Sequence, residues 1–109
     1  MFGEFRGALA EQYVLGQLIA AAGIRPFYWS SETGRAEVDF LVDSPAGTVP
    51  IEVKSGVNLR SKSLGVYLAK YRPNTAIRTS PADYRVSLRG STKLVELPLY
   101  AIGQVARYL

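Results

Sequence analysis

Apolar residues recur at helical spacing over residues 4–22, where Val14, Leu15, Leu18 and Ala22 form one stripe, and Gly23 predicts the end of that helix. The aromatic run 24–30, "IRPFYWS", predicts a strand after Pro26, and 31–35, "SETGR", is turn chemistry with Gly34 as the hairpin residue. Residues 36–42 alternate, with Val38, Phe40 and Val42 on one face and Glu37, Asp39 and Leu41 on the other. A second turn at 43–47 leads to a third strand at 48–55, where Ile51 and Val53 stand opposite Glu52 and Lys54. Leu64, Tyr67, Leu68 and Tyr71 return to helical spacing within 61–72, and Pro73 stops that helix. A short strand at 75–80, further strands within 83–89 and 93–101, and a closing helix at the end complete the pattern.

This order, α-β-β-β-α-β with a short α/β tail, predicts an α/β fold with one mixed sheet flanked by helices. The third strand and the one at 75–80, joined by a helix, should run parallel through a right-handed crossover. The 109 residues suit one domain, 1–109. No apolar run reaches the ~18 residues that a membrane-spanning helix needs, and the early acids of "MFGEFRGALAE" do not resemble a signal peptide.

Composition narrows the chemistry. Cysteine and histidine are both absent, which excludes disulfides, thiolate and imidazole metal sites, Cys nucleophiles and Ser-His-Asp catalysis. Catalysis, if present, must use carboxylates, lysine, hydroxyls or a hard cation held by oxygen. Thirteen Lys+Arg against nine Asp+Glu give a net charge of +4, which suits an anionic partner such as nucleic acid and equally suits a mildly basic soluble protein. The absence of cysteine and of a signal segment leads to a cytoplasmic expectation.

Asp39 and Glu52 fall on adjacent strands across a short turn, with Lys54 on the same face as Glu52. Two carboxylates and an ammonium in one patch could hold a Mg²⁺ with a lysine beside it. A hairpin with an ordinary solvated face has the same pattern, so spacing leaves both readings open. On a helical projection Glu11 falls among Val14, Leu15 and Leu18, and a carboxylate aimed into an apolar stripe needs a partner unless it reaches water at the stripe's edge. Trp29, Tyr67 and Tyr71 read as packing residues rather than base-stacking ones.

A helix acid, "EVD" on one strand and "IEVKSG" on the next resemble the PD-(D/E)xK nuclease-like superfamily, with its restriction-endonuclease-like fold and α-β-β-β-α-β core. More narrowly, "GALAEQYV", "YWSSETGRAEVDFLV", "VPIEVKSG", "SLGVYLAKY" and "PLYA" are similar to the uncharacterised domain C-terminal to archaeal-type AAA+ ATPases. The resemblance implies that Asp39, Glu52 and the carbonyl of Val53 hold Mg²⁺ (or Mn²⁺), that Lys54 is the catalytic lysine, and that Glu11 supports the metal. It implies DNA as the substrate, with Arg35, Lys62, Ser63 and Lys70 as candidate DNA contacts; Arg72 could add a backbone contact. It also implies an ATPase domain in the same full-length chain, with which a homo-oligomer is compatible. Residues 56–63, "GVNLRSKS", lack the second glycine of a Walker A loop, so the chain is expected to be an excised C-terminal domain without nucleotide chemistry of its own. A second expectation stands beside the enzyme: a catalytically inactive nuclease-fold module that binds DNA or protein and regulates the ATPase, its acids and lysine kept as an ion-pair network.

Overall fold

The computed structural model describes residues 2–56 and 61–109. Residues 57–60, part of the stretch weighed as a phosphate loop, lie outside the described residues. The elements are helix α1 (Phe2–Ala20), strands β1 (Phe27–Ser30), β2 (Glu37–Ser44) and β3 (Gly47–Val53), helix α2 (Lys62–Tyr71), strands β4 (Thr75–Ser80), β5 (Arg85–Arg89) and β6 (Thr92–Pro98), and a 3-10 helix at Leu99–Tyr108. The six strands form one mixed sheet in the order β1-β2-β3-β4-β6-β5, so the expected α/β architecture is present.

Helix α1 ends as the glycine signal requires. Gly23 takes φ +67°, and the Ile24 N–H donates back to the Leu18 carbonyl at 2.8 Å. Gly34, at φ +70°, closes the β1–β2 turn through its N–H to the Ser31 carbonyl. The β2–β3 turn is tighter than the 43–47 expected from sequence, because Ser44 already pairs with Gly47 and only Pro45 and Ala46 lie between the strands.

β3 runs antiparallel to β2 and parallel to β4, the crossover through α2 that the helix between them demanded. Its amides alternate: the Val53 N–H points toward β2 and the Lys54 N–H toward β4, where it donates to the Thr79 carbonyl at 2.9 Å. By the same alternation Pro50 lacks its N–H on the β4 side, where pairing starts only at Ile51, so a proline is tolerated inside this strand. β6 then pairs parallel with β4, and β5 forms the outer edge, antiparallel to β6.

The period of two sends the strands' side chains to two different layers. Toward α1 and the 3-10 helix go Phe40, Val42, Val49, Ile51, Val53, Ile77, Val95 and Leu97, which pack with Val14, Leu18, Ile102 and Val105 in the main core. Leu15 and Ala22 flank it, so the stripe read from sequence is the buried one. The 3-10 helix meets α1 closely at Gly103, where an added Cβ would stand 3.2 Å from the Ala21 Cβ and 2.8 Å from Gln17 Oε1. Toward α2 a smaller cluster forms from Leu64, Ala76 and Leu94, with Leu68 beside it. Tyr67 is buried there, and Trp29 meets Tyr67 and Tyr71 edge-on at 5.3 and 6.0 Å, tying β1 to α2. Tyr71 itself stays half exposed at the end of α2, which Arg72 caps in the left-handed region (φ 46°).

Candidate functional site

The candidate site forms where β2 and β3 part. Their pairing ends at Phe40 with Ile51, and beyond it the first residues of β2, Glu37 and Val38, are paired only on the other edge, with β1. The parting leaves the Val53 N–H without a backbone acceptor on β2, and Asp39 Oδ2 accepts it at 2.8 Å. Asp39 is thereby held at the end of the hairpin rather than at a strand centre. Lys54 and Ser55, read from sequence as strand, lie just beyond β3. The main chain of Lys54 is nevertheless fixed by its bond to Thr79, so the ammonium stem leaves the sheet from an anchored point.

Glu11 reaches this place from α1. The residue as a whole is exposed, but its carboxyl shares a hydrogen bond with Asp39. Partial loss of water, then that bond and the negative charges of Asp39 and Glu37, push its pKa up to about 7. Both readings of Glu11 thus hold in part: it lies at the edge of the stripe, and its polar end has a carboxylate for company. A cavity of about 290 Å³ opens beside the pair, lined by Glu11, Glu37, Asp39 and Tyr28–Ser30.

Glu52 is placed differently. It is buried, and burial raises its pKa, with Asp39 adding to the rise. The Ser61 hydrogen bond and the charges of Lys54 and Arg78 oppose that rise. Ser61 Oγ donates to Glu52 Oε1 at 2.5 Å, and Arg78 Nη1 donates to Ser61 Oγ. Arg78 Nε and Nη2 donate to Glu96 Oε1 at 3.1 and 2.6 Å. The strand registers explain the row, since Glu52 stands opposite Arg78 and Arg78 opposite Glu96. Sequence reasoning missed Ser61, Arg78, Glu96 and Glu37. The signal for two of them was a single charge inside an otherwise unbroken strand, Arg78 in "TAIRTS" and Glu96 in "LVELP".

Glu11 and Asp39, Asp39 and Glu52, and Glu52 and Lys54 therefore lie pairwise within electrostatic reach. Among the described residues, no three acids gather closely enough to hold one metal ion together. The donor set read from sequence has two acids and one carbonyl, all hard oxygens of the kind that suits Mg²⁺. The basic positions are spread out. Arg35 is exposed in the β1–β2 turn, Lys62 and Ser63 open α2, and Lys70, over the Tyr71 ring at 5.3 Å, closes it. Eight residues of helix separate the two lysines by about 12 Å, so they do not form one patch.

Residues 6–100 match the family model described as "Domain of unknown function (DUF4143)". The chain belongs to the DUF4143 family. The match starts within α1 and ends at Tyr100, so it takes in Glu11, Asp39, Glu52, Lys54 and the whole sheet of this DUF4143 domain. No curated protein matches the chain. Among the described residues, no helix is long and apolar enough to cross a membrane.

Proposed function

We propose that this DUF4143 domain is a metal-dependent DNA phosphodiester hydrolase of the PD-(D/E)xK kind, carried by a longer AAA+ ATPase chain. One observation carries the reading. A helix acid, two strand acids and a lysine, drawn from α1, β2 and the end of β3, come within pairwise electrostatic reach near the point where β2 and β3 part. Asp39 and Glu52, with the Val53 carbonyl, would hold Mg²⁺ or Mn²⁺, which when bound supplies positive charge that polarises a phosphate and acidifies water. Asp39 is oriented for this by the Val53 amide, and Glu52 by Ser61. Glu11, with a pKa near 7, can take up or release a proton at working pH beside them. Lys54, on its anchored main chain, would offset charge growing on the phosphate. Arg35, Lys62, Ser63 and Lys70 would contact the DNA backbone without reading bases.

A second reading has its own support. Glu52 is buried in a row with Ser61, Arg78 and Glu96. That favours a non-catalytic module, binding DNA or protein, in which the charges serve the fold. The two readings separate in one assay. The domain and the full-length chain are incubated with plasmid and linear DNA in Mg²⁺, Mn²⁺ or EDTA. The hydrolase reading expects nicking that needs metal and disappears in Lys54→Ala and Asp39→Ala. No cleavage by either protein, with no calorimetric heat of metal binding, sinks it and leaves the module.

A further inference from the structure

A second cavity, of about 600 Å³, lies on the α2 side of the sheet and shares no residue with the one beside Glu11. Helix α2 packs on that face through Tyr67 and Tyr71 against Trp29 and through Leu64 against Ala76 and Leu94, so the strip toward β5 is only partly covered. The cavity occupies the uncovered strip, between α2 and the tip of the β5–β6 hairpin. Its apolar wall is Leu64, Leu68 and Leu94. On the helix side Gly65 and Ala69 stand one turn apart, and a Cβ built at Gly65 meets nothing within 4 Å. The helix thus presents its shortest side chains where the space is.

The polar lining has one sign. Arg72 and Arg89 are exposed at the rim, Arg78 is buried at the base against Glu96, and among the described residues no carboxylate lines the cavity. The volume falls in the range of small-molecule sites, which combine an apolar wall with a few convergent polar groups. We propose that this cavity binds a small amphipathic organic anion, with its apolar body against Leu64, Leu68 and Leu94 and its oxyacid group held by Arg72 and Arg89. Arginine suits such a group because its planar fork matches two oxygens at once. Neither Glu11, Asp39 nor Lys54 borders it, and it touches the candidate hydrolase site only through Ser61, whose hydroxyl donates to Glu52, and Arg78 behind it.

The probe is 8-anilinonaphthalene-1-sulfonate, titrated by fluorescence into the 109-residue chain, with neutral N-phenyl-1-naphthylamine as its uncharged counterpart. Saturable one-to-one binding of the anion, tighter than that of the neutral dye, is expected. Gly65→Leu fills the space while improving a helix-interior position, and Arg89→Glu reverses a rim charge on an exposed hairpin. Each should weaken the anion by about tenfold with an unchanged near-ultraviolet circular dichroism spectrum, and only Gly65→Leu should weaken the neutral dye. Displacement by decanoate or by decyl phosphate supports the site and tells carboxylate from phosphate. Equal displacement by decanol, or undiminished anion binding in both variants, overturns it. Displacement by a short single-stranded DNA at lower concentration than either amphiphile also overturns it, in favour of a nucleic-acid groove.

Discussion

The two faces of the sheet bury different kinds of side chain. Toward α1 and the 3-10 helix the buried residues are almost all apolar, contributed by both helices and four strands. Toward α2 the buried apolar cluster is three residues, and beside it runs the row Glu52, Arg78, Glu96. Burying apolar area stabilises in proportion to that area, whereas a buried ion pair roughly repays its own loss of water. The first face therefore supplies the fold's stability. The second is a place where charge is kept dry and oriented at some cost, which is the setting chemistry and recognition need.

The strongest test of that contrast is Arg78→Met. It leaves Glu52 and Glu96 buried without their shared cation, and urea unfolding at pH 7 should show a loss of about 3–5 kcal/mol. Arg78→Met/Glu96→Leu should recover part of it, because the double change removes Glu96 with its cation and leaves Glu52 to Ser61 and the nearby charge of Lys54. A loss below ~1 kcal/mol in the single variant would mean the row is open to water and the contrast is false. On the apolar face, Leu18→Ala should cost about 3 kcal/mol in the same measurement and, unlike the arginine variant, should gain nothing from a second compensating change.

Smaller changes sharpen the picture. Thr79 is fully buried on the apolar side, and among the described residues its hydroxyl has no hydrogen-bond partner. Thr79→Val keeps the shape and removes that group, so thermal unfolding should show a gain of about 1 kcal/mol. Glu11→Gln tests the margin between the faces. The carboxyl's pKa rises from 4.5 to about 7 on folding, so the native state binds more protons than the unfolded state between those values. Stability from this group is therefore full below about pH 4.5 and falls as pH rises through 7. Discounted for the exposure of Glu11, the penalty at pH 8 is about 1 kcal/mol. Wild type and Glu11→Gln should unfold alike at pH 4, and the variant should be the more stable at pH 8. A variant advantage that is the same at both pH values would disprove the Glu11–Asp39 contact.

Much of this was legible in the chain. The stripe of α1, the alternation of β2, the turn at Gly34, the stop at Pro73 and the parallel crossover all follow from local periods and from residues with restricted backbones. The acids and lysine were legible as types on particular strands. Their surroundings were not. Lys54 lies beyond β3 where the pairing of β2 with β3 has already ended at Phe40 and Ile51, a fact about the neighbouring strand rather than about "EVKSG". Ser61 joins Glu52 across a gap of 9 residues, Arg78 joins Ser61 across 17, and Glu96 joins Arg78 across 18. No local period spans such gaps.

By itself the sequence determined which residues must leave water, which chemistries are impossible without histidine and cysteine, and which strand positions share a face. These depend on side-chain type and on the fixed repeat of helix and strand. Only the tertiary structure decided that β6 takes its place beside β4 and β5 goes to the edge. That choice sets Glu96 against Arg78, which already stands opposite Glu52, and leaves a cavity between α2 and the β5–β6 hairpin. The reason is physical: strand order follows from how two helices and a 3-10 helix cover one sheet, and that is a property of the whole packed chain.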